Sequence, residues 1–105
     1  MNSTEQENCL AEILQLTDAM LADAGREDWD ALSAKQNHRD TLIGAFFQES
    51  LVLDAQTVSD RIRYVLMVDE QIQALGRQYQ QGLRRELQSI SRGKNAVRAY
   101  AEIRI

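Results

Sequence analysis

Residues 55–92 read AQTVSDRIRYVLMVDEQIQALGRQYQQGLRRELQSISR, and nothing in them stops a helix. Val58, Ile62, Val65, Val68, Ile72, Leu75, Tyr79, Leu83, Leu87 and Ile90 recur at steps of three and four, which places them on one face of a helix. The spacing is coiled-coil-like, with gaps and without a sustained strict heptad. Gly76 and Gly82 lie inside the run, and each costs about 1 kcal/mol against alanine. A strongly patterned helix tolerates both; close approach of another helix, or a soft point, is the alternative reading. Gly93 is expected to end the helix. Beyond it, Val97, Tyr100 and Ile103 at steps of three predict a short final amphipathic helix over about 95–104.

Working back from that helix, residues 48–54 read as a connection closed by Asp54 as an N-cap. Before it, Trp29, Leu32, Arg39, Leu42, Ile43, Phe46 and Phe47 form the facing stripe of a helix over about 27–47. The stripe is polar in its middle, at Gln36 and Arg39. Glu27, Asp28 and Asp30 put negative charge at its start, where the helix dipole favours it. The first helix, about 4–24, carries Leu10, Ile13, Leu14, Thr17, Met20, Leu21 and Ala24 on one face. Ser3 to Gln6 fits a capping box at its start, and Gly25 suits the left-handed residue that ends it. The expected architecture is a single all-α domain over 1–105: an antiparallel bundle of a helical hairpin, one long third helix and a short C-terminal helix.

Lengths connect this architecture to binding. Helices of about 20 residues are roughly 30 Å long, whereas about 38 residues make roughly 57 Å. The hairpin cannot cover such a rod, so the stripe Ile72, Leu75, Tyr79, Leu83, Leu87 and Ile90 is expected to bind a partner, with the C-terminal segment able to fold back over part of it. A contiguous exposed apolar stripe marks an interaction site.

Composition excludes several classes. The chain has 105 residues, 44% of them hydrophobic and 27% charged, which is the balance of one globular domain. It has no proline and five glycines, too little turn chemistry for an all-β fold. Cys9 is the only cysteine and His38 the only histidine, so neither an internal disulfide nor a Cys/His zinc site is expected. The acidic, polar N-terminus does not read as a signal peptide. The apolar runs Leu42–Phe47 and Tyr64–Val68 are too short to span a bilayer, so a cytoplasmic protein without membrane insertion is expected. Charge is uneven: residues 1–50 carry 10 acids and 3 bases, while residues 51–105 carry 6 acids and 9 bases. Attraction between helices accounts for this, or else the C-terminal part meets an acidic partner.

Catalytic chemistry finds no support. There is no glycine-rich phosphate loop, nucleophile elbow or metal-ligand cluster, so no catalytic, cofactor or metal site is assigned. His38 reads as a solvated side chain and Cys9 as a small core residue. Val68 to Arg77 faintly echoes the long helix of all-α chorismate mutases. Such a site needs several cations converging on a dianion, and Arg63, Arg77, Arg84 and Arg85 all lie on one helix. The seven bases from Arg77 onward come with an acidic domain and no helix-turn-helix, so nucleic acid is not an expected partner.

Trp29-Asp30-Ala31-Leu32, followed by Arg39 and Leu42, resembles the second helix of FliT-type flagellar export chaperones. Residues 62–72, IRYVLMVDEQI, then Leu83-Arg84-Arg85-Glu86-Leu87 and Arg92-Gly93-Lys94 through Tyr100, are similar to that family's C-terminal half. The resemblance spans almost the whole chain and rests on the order and spacing of helical patterns. It implies an all-α cytoplasmic chaperone without enzyme activity. Its partners would be the C-terminal part of the filament-cap protein, the flagellar export gate and its ATPase complex and, in some members, a flagellar master transcription activator. It also implies that the final segment is a flap over the binding surface whose tyrosine region contacts the export gate. Those roles would fall on Lys94, Val97, Arg98, Tyr100 and Ile103. With the chain ending at Ile105, the longer regulatory tail of the family is expected to be missing. The expected state is a monomer or weak homodimer. The rival reading is a homodimeric helical-bundle interaction module or regulator, whose long helices cover one another.

Overall fold

A computed structural model of the chain describes the backbone of residues 1–104 and the side chains of residues 1–93. The chain forms three helices, α1 (Ser3–Gly25), α2 (Trp29–Gln48) and α3 (Ala55–Arg104). It divides into two compact units, Met1–Leu75 and Gly76–Ile105. α1 and α2, with the first part of α3, make the first unit, an all-α hairpin with a third helix as expected.

The core of the first unit is built in two clusters, and the expected helix faces supply both. Cys9, Leu10, Ile13, Phe46, Val58 and Val65 form one, with Leu14, Leu42, Ile43 and Ile62 packed against it. Met20, Ala24, Leu32, Val68 and Ile72 form the other, joined by Leu21, Trp29 and Leu75. Phe46 is fully buried, whereas Phe47 is half exposed and stands against it edge-on at 5.0 Å between ring centres. The α2 stripe is thus one residue narrower than expected. Neighbouring positions differ by about 100° around a helix, so only one of the two rings can point inward.

Between the clusters the polar middle of the α2 stripe is resolved. The Arg39 side chain, 5% exposed, donates to both Asp69 oxygens at 2.7 and 3.1 Å and to the Thr17 hydroxyl at 3.1 Å. Thr17 in turn donates to the Ile13 carbonyl at 2.8 Å. One residue from each helix therefore meets in a buried polar link, and a planar guanidinium suits such a bidentate grip. It holds the three helices in one register, because a shift of any one would leave a buried charge unpaired.

Helix ends follow local chemistry, with two corrections. Asp28 and Asp54 cap α2 and α3, accepting from Ala31 N at 3.2 Å and Thr57 N at 3.1 Å. α1 is capped by Asn2, which accepts from Glu5 N at 2.8 Å, and not through the Ser3–Gln6 box. Asn2 is itself a strong capping residue, and this frees Gln6 for other work. The fully buried Gln6 amide donates to the Ser50 carbonyl at 3.0 Å and accepts from Val52 N at 2.9 Å and Leu53 N at 3.3 Å. It clamps the α2–α3 connection by satisfying backbone groups that have no helix to join. At the other end of α1 the left-handed residue is Glu27, at φ 59°, and not Gly25.

The third correction concerns Gly93. α3 runs through it without a break to Arg104, so the expected stop and the separate helix over 95–104 are absent. A glycine ends a helix by turning left-handed, and no glycine has positive φ. Ala96, Arg98, Ala99 and Ala101 are good helix formers that favour continuation.

Candidate functional site

The second unit presents apolar side chains that nothing in the described chain covers. Leu83, Leu87 and Ile90 are 40%, 64% and 56% exposed. Their spacing of four and then three residues puts them on one side of α3. Arg77, Arg84, Arg85 and Arg92 are exposed on the same segment, and none makes an ion pair among the described residues. At about 100° per residue, Arg84 lies roughly 60° round from Leu87, with Arg77 one heptad earlier on the same flank. Arg85 and Arg92 fall on the opposite side of the helix.

Of the other residues expected in this stripe, Ile72 lies in the core against Met20, Ala24, Leu32 and Val68, and Leu75 packs beside it. Both are therefore covered by the chain itself. Tyr79 is half-buried. The expected flap residues Lys94, Val97, Arg98, Tyr100 and Ile103 lie outside the described side chains.

Exposed apolar groups also occur outside the expected stripe. Leu66 and Met67 are 58% and 49% exposed on α3, and Leu51 and Val52 are exposed in the connection after α2. The run Tyr64–Val68 carried a readable signal. Five consecutive apolar residues span more than one side of a helix, and only Val65 and Val68 reach the core.

The remaining polar chemistry belongs to the first unit and is structural. The buried Asp23 carboxylate accepts from Lys35 and Arg26, each at 2.6 Å. The hydrogen bond from Lys35 is the main cause that holds it below the usual carboxylate range, with both cations adding to the effect against burial. Tyr64 donates to Asp18 at 2.5 Å, and that bond raises its pKa. Cys9 donates to the Leu42 carbonyl at 3.6 Å, and burial pushes its thiol up, which suits a core residue better than a nucleophile. His38 is exposed, 3.5 Å from Glu12. No group of three or more possible metal ligands occurs among the described residues, and no helix is long and apolar enough to cross a membrane.

No curated protein and no solved structure matches the chain. A family model does: the one described as flagellar protein FliT matches residues 7–102. The chain therefore belongs to the FliT family, a family of flagellar export chaperones and not of enzymes.

Proposed function

We propose that this FliT-family chain is a cytoplasmic chaperone of the flagellar filament-cap protein. It binds the C-terminal part of that protein, prevents its premature assembly and delivers it to the export gate and ATPase complex. The observation that carries the reading is the exposed stripe Leu83, Leu87 and Ile90 on a helical segment where Arg77, Arg84, Arg85 and Arg92 make no ion pair among the described residues. An amphipathic helix with apolar residues at the same spacing is the natural complement of such a stripe. Tyr100, with Lys94 and Arg98 beside it, is assigned to export-gate contact, and Val97, Tyr100 and Ile103 to the C-terminal flap over the binding surface.

Titration of the full chain with the cap protein's C-terminal segment, followed by fluorescence anisotropy, tests this. Leu87→Asp is expected to abolish binding while leaving the thermal melt unchanged, because the side chain is exposed and lies outside both core clusters. Phe46→Ala is the contrasting variant: it empties a fully buried site and costs about 3–5 kcal/mol. Undiminished binding by Leu87→Asp overturns the assignment of this surface.

A further inference from the structure

We infer that the segment docking on Leu83, Leu87 and Ile90 is acidic along one flank, and that Arg84, with Arg77, selects it. This rests on the preceding reading only in taking those three side chains as the docking surface. The charge of the chain divides with its two units. Residues 1–75 hold 14 acids and 5 bases, a net of −9, whereas residues 76–105 hold 2 acids and 7 bases, a net of +5.

The cations of the two units are also used differently. In Met1–Leu75, three of the five bases, Arg26, Lys35 and Arg39, are held by carboxylates, while Arg61 and Arg63 are exposed. In the second unit Arg77 and Arg84 have no such partner among the described residues and stand beside the apolar stripe. Glu86 is the single acid among residues 76–93, and it lies on the other flank. A helix laid on the stripe brings its own flanking side chains within reach of Arg84. Carboxylates there gain charge-assisted hydrogen bonds, and lysines there are repelled.

Other occupants fit less well. A second copy would set this segment, with four bases and one acid over residues 76–93, against an identical one. An anionic membrane would draw in the basic segment but repel the net −9 carried by the same chain. Among the described residues of that segment it would also gain only three exposed large apolar side chains, none of them aromatic.

The test uses the full chain and two synthetic peptides of about 20 residues, long enough to hold a helix. Both carry leucine at the spacing of Leu83, Leu87 and Ile90. One carries glutamate on both flanks and the other lysine. The glutamate peptide is expected to bind at least about tenfold more tightly. Its advantage should shrink as salt rises from about 0.1 M to about 1 M, where the Debye length falls from about 10 Å to about 3 Å. Arg84→Glu should reverse the preference. Arg92→Glu makes the same change in net charge on the far side of the helix and should alter it less than about threefold, since screening isolates that position.

Equal binding of the two peptides, or equal effects of Arg84→Glu and Arg92→Glu, overturns the acidic partner and leaves the docking stripe standing. If neither peptide nor the cap-protein segment binds, the preceding reading fails as well. Preferential binding to phosphatidylglycerol vesicles overturns the inference in favour of a lipid surface. A dimer in light scattering that Leu87→Asp dissociates overturns it in favour of a second copy.

Discussion

Replacing Asp69 with alanine removes the carboxylate that holds the Arg39 guanidinium through bonds of 2.7 and 3.1 Å. Arg39 is 5% exposed, so its charge cannot turn to water in compensation. What remains is a single hydrogen bond to Thr17, whose own proton is committed to the Ile13 carbonyl. Breaking one side of a buried ion pair costs about 3–5 kcal/mol. At 0.05–0.15 kcal/mol per residue, the 75 residues of the first unit have roughly 4–11 kcal/mol in total, so the variant is close to unfolding. The assay is urea denaturation read by fluorescence of Trp29, the sole tryptophan, which packs within the first unit. With a slope of roughly 1–3 kcal/mol per molar urea, the midpoint should fall by at least about 1 M. Replacing both partners, Arg39→Met with Asp69→Leu, leaves no orphaned charge and should recover most of the loss. A midpoint shift below about 0.3 M for Asp69→Ala, equivalent to under about 1 kcal/mol, would refute the argument by showing that Arg39 reaches solvent.

Glu27 holds φ 59°, where a side chain is strained and glycine is not, so Glu27→Gly should raise the melting temperature by the equivalent of about 1 kcal/mol. Gly25 has neither positive φ nor any atom within 4 Å of where a Cβ would stand, and Gly25→Ala should stabilise by about 0.4–1 kcal/mol in the same melt. Gln6→Ala strips the clamp from the α2–α3 connection; it should cost about 1–3 kcal/mol and speed hydrogen exchange at the Val52 and Leu53 amides. Asp23 has a lowered folded pKa, so the stability it contributes is complete above about pH 4, its unfolded value, and is lost as pH falls through the lower folded value. Urea midpoints measured down to pH 2 should show a shallower acid decline in Asp23→Asn than in the parent chain.

The features readable in the sequence were those set within one helical turn or by one helix period. Asp54 could be assigned as a cap because it bonds an amide three residues ahead, whereas Asp28, read only as negative charge at the start of α2, is itself the cap. The core face of α3 could be drawn from Val58 to Val68 because the period alone selects it. Gln6 has two competing uses: its local spacing fits a capping box, but its burial is decided by Ser50, Val52 and Leu53, more than forty residues away. Arg39 stood out as a polar interruption, yet the reason for it lies on the other two helices, at Thr17 and Asp69. Gly93 shows the limit of punctuation residues. A glycine permits a left-handed stop without requiring one, and the outcome depends on whether the following residues gain more by leaving the helix than by extending it. The candidate site follows the same logic. One apolar stripe runs from Ile72 to Ile90, but periodicity cannot show where internal packing ends along it. The structure places Ile72 and Leu75 inside and leaves Leu83, Leu87 and Ile90 exposed. What separates a core residue from an exposed one here is therefore the presence of Met20, Ala24 and Leu32 opposite the first pair, a tertiary fact that α3 alone does not encode.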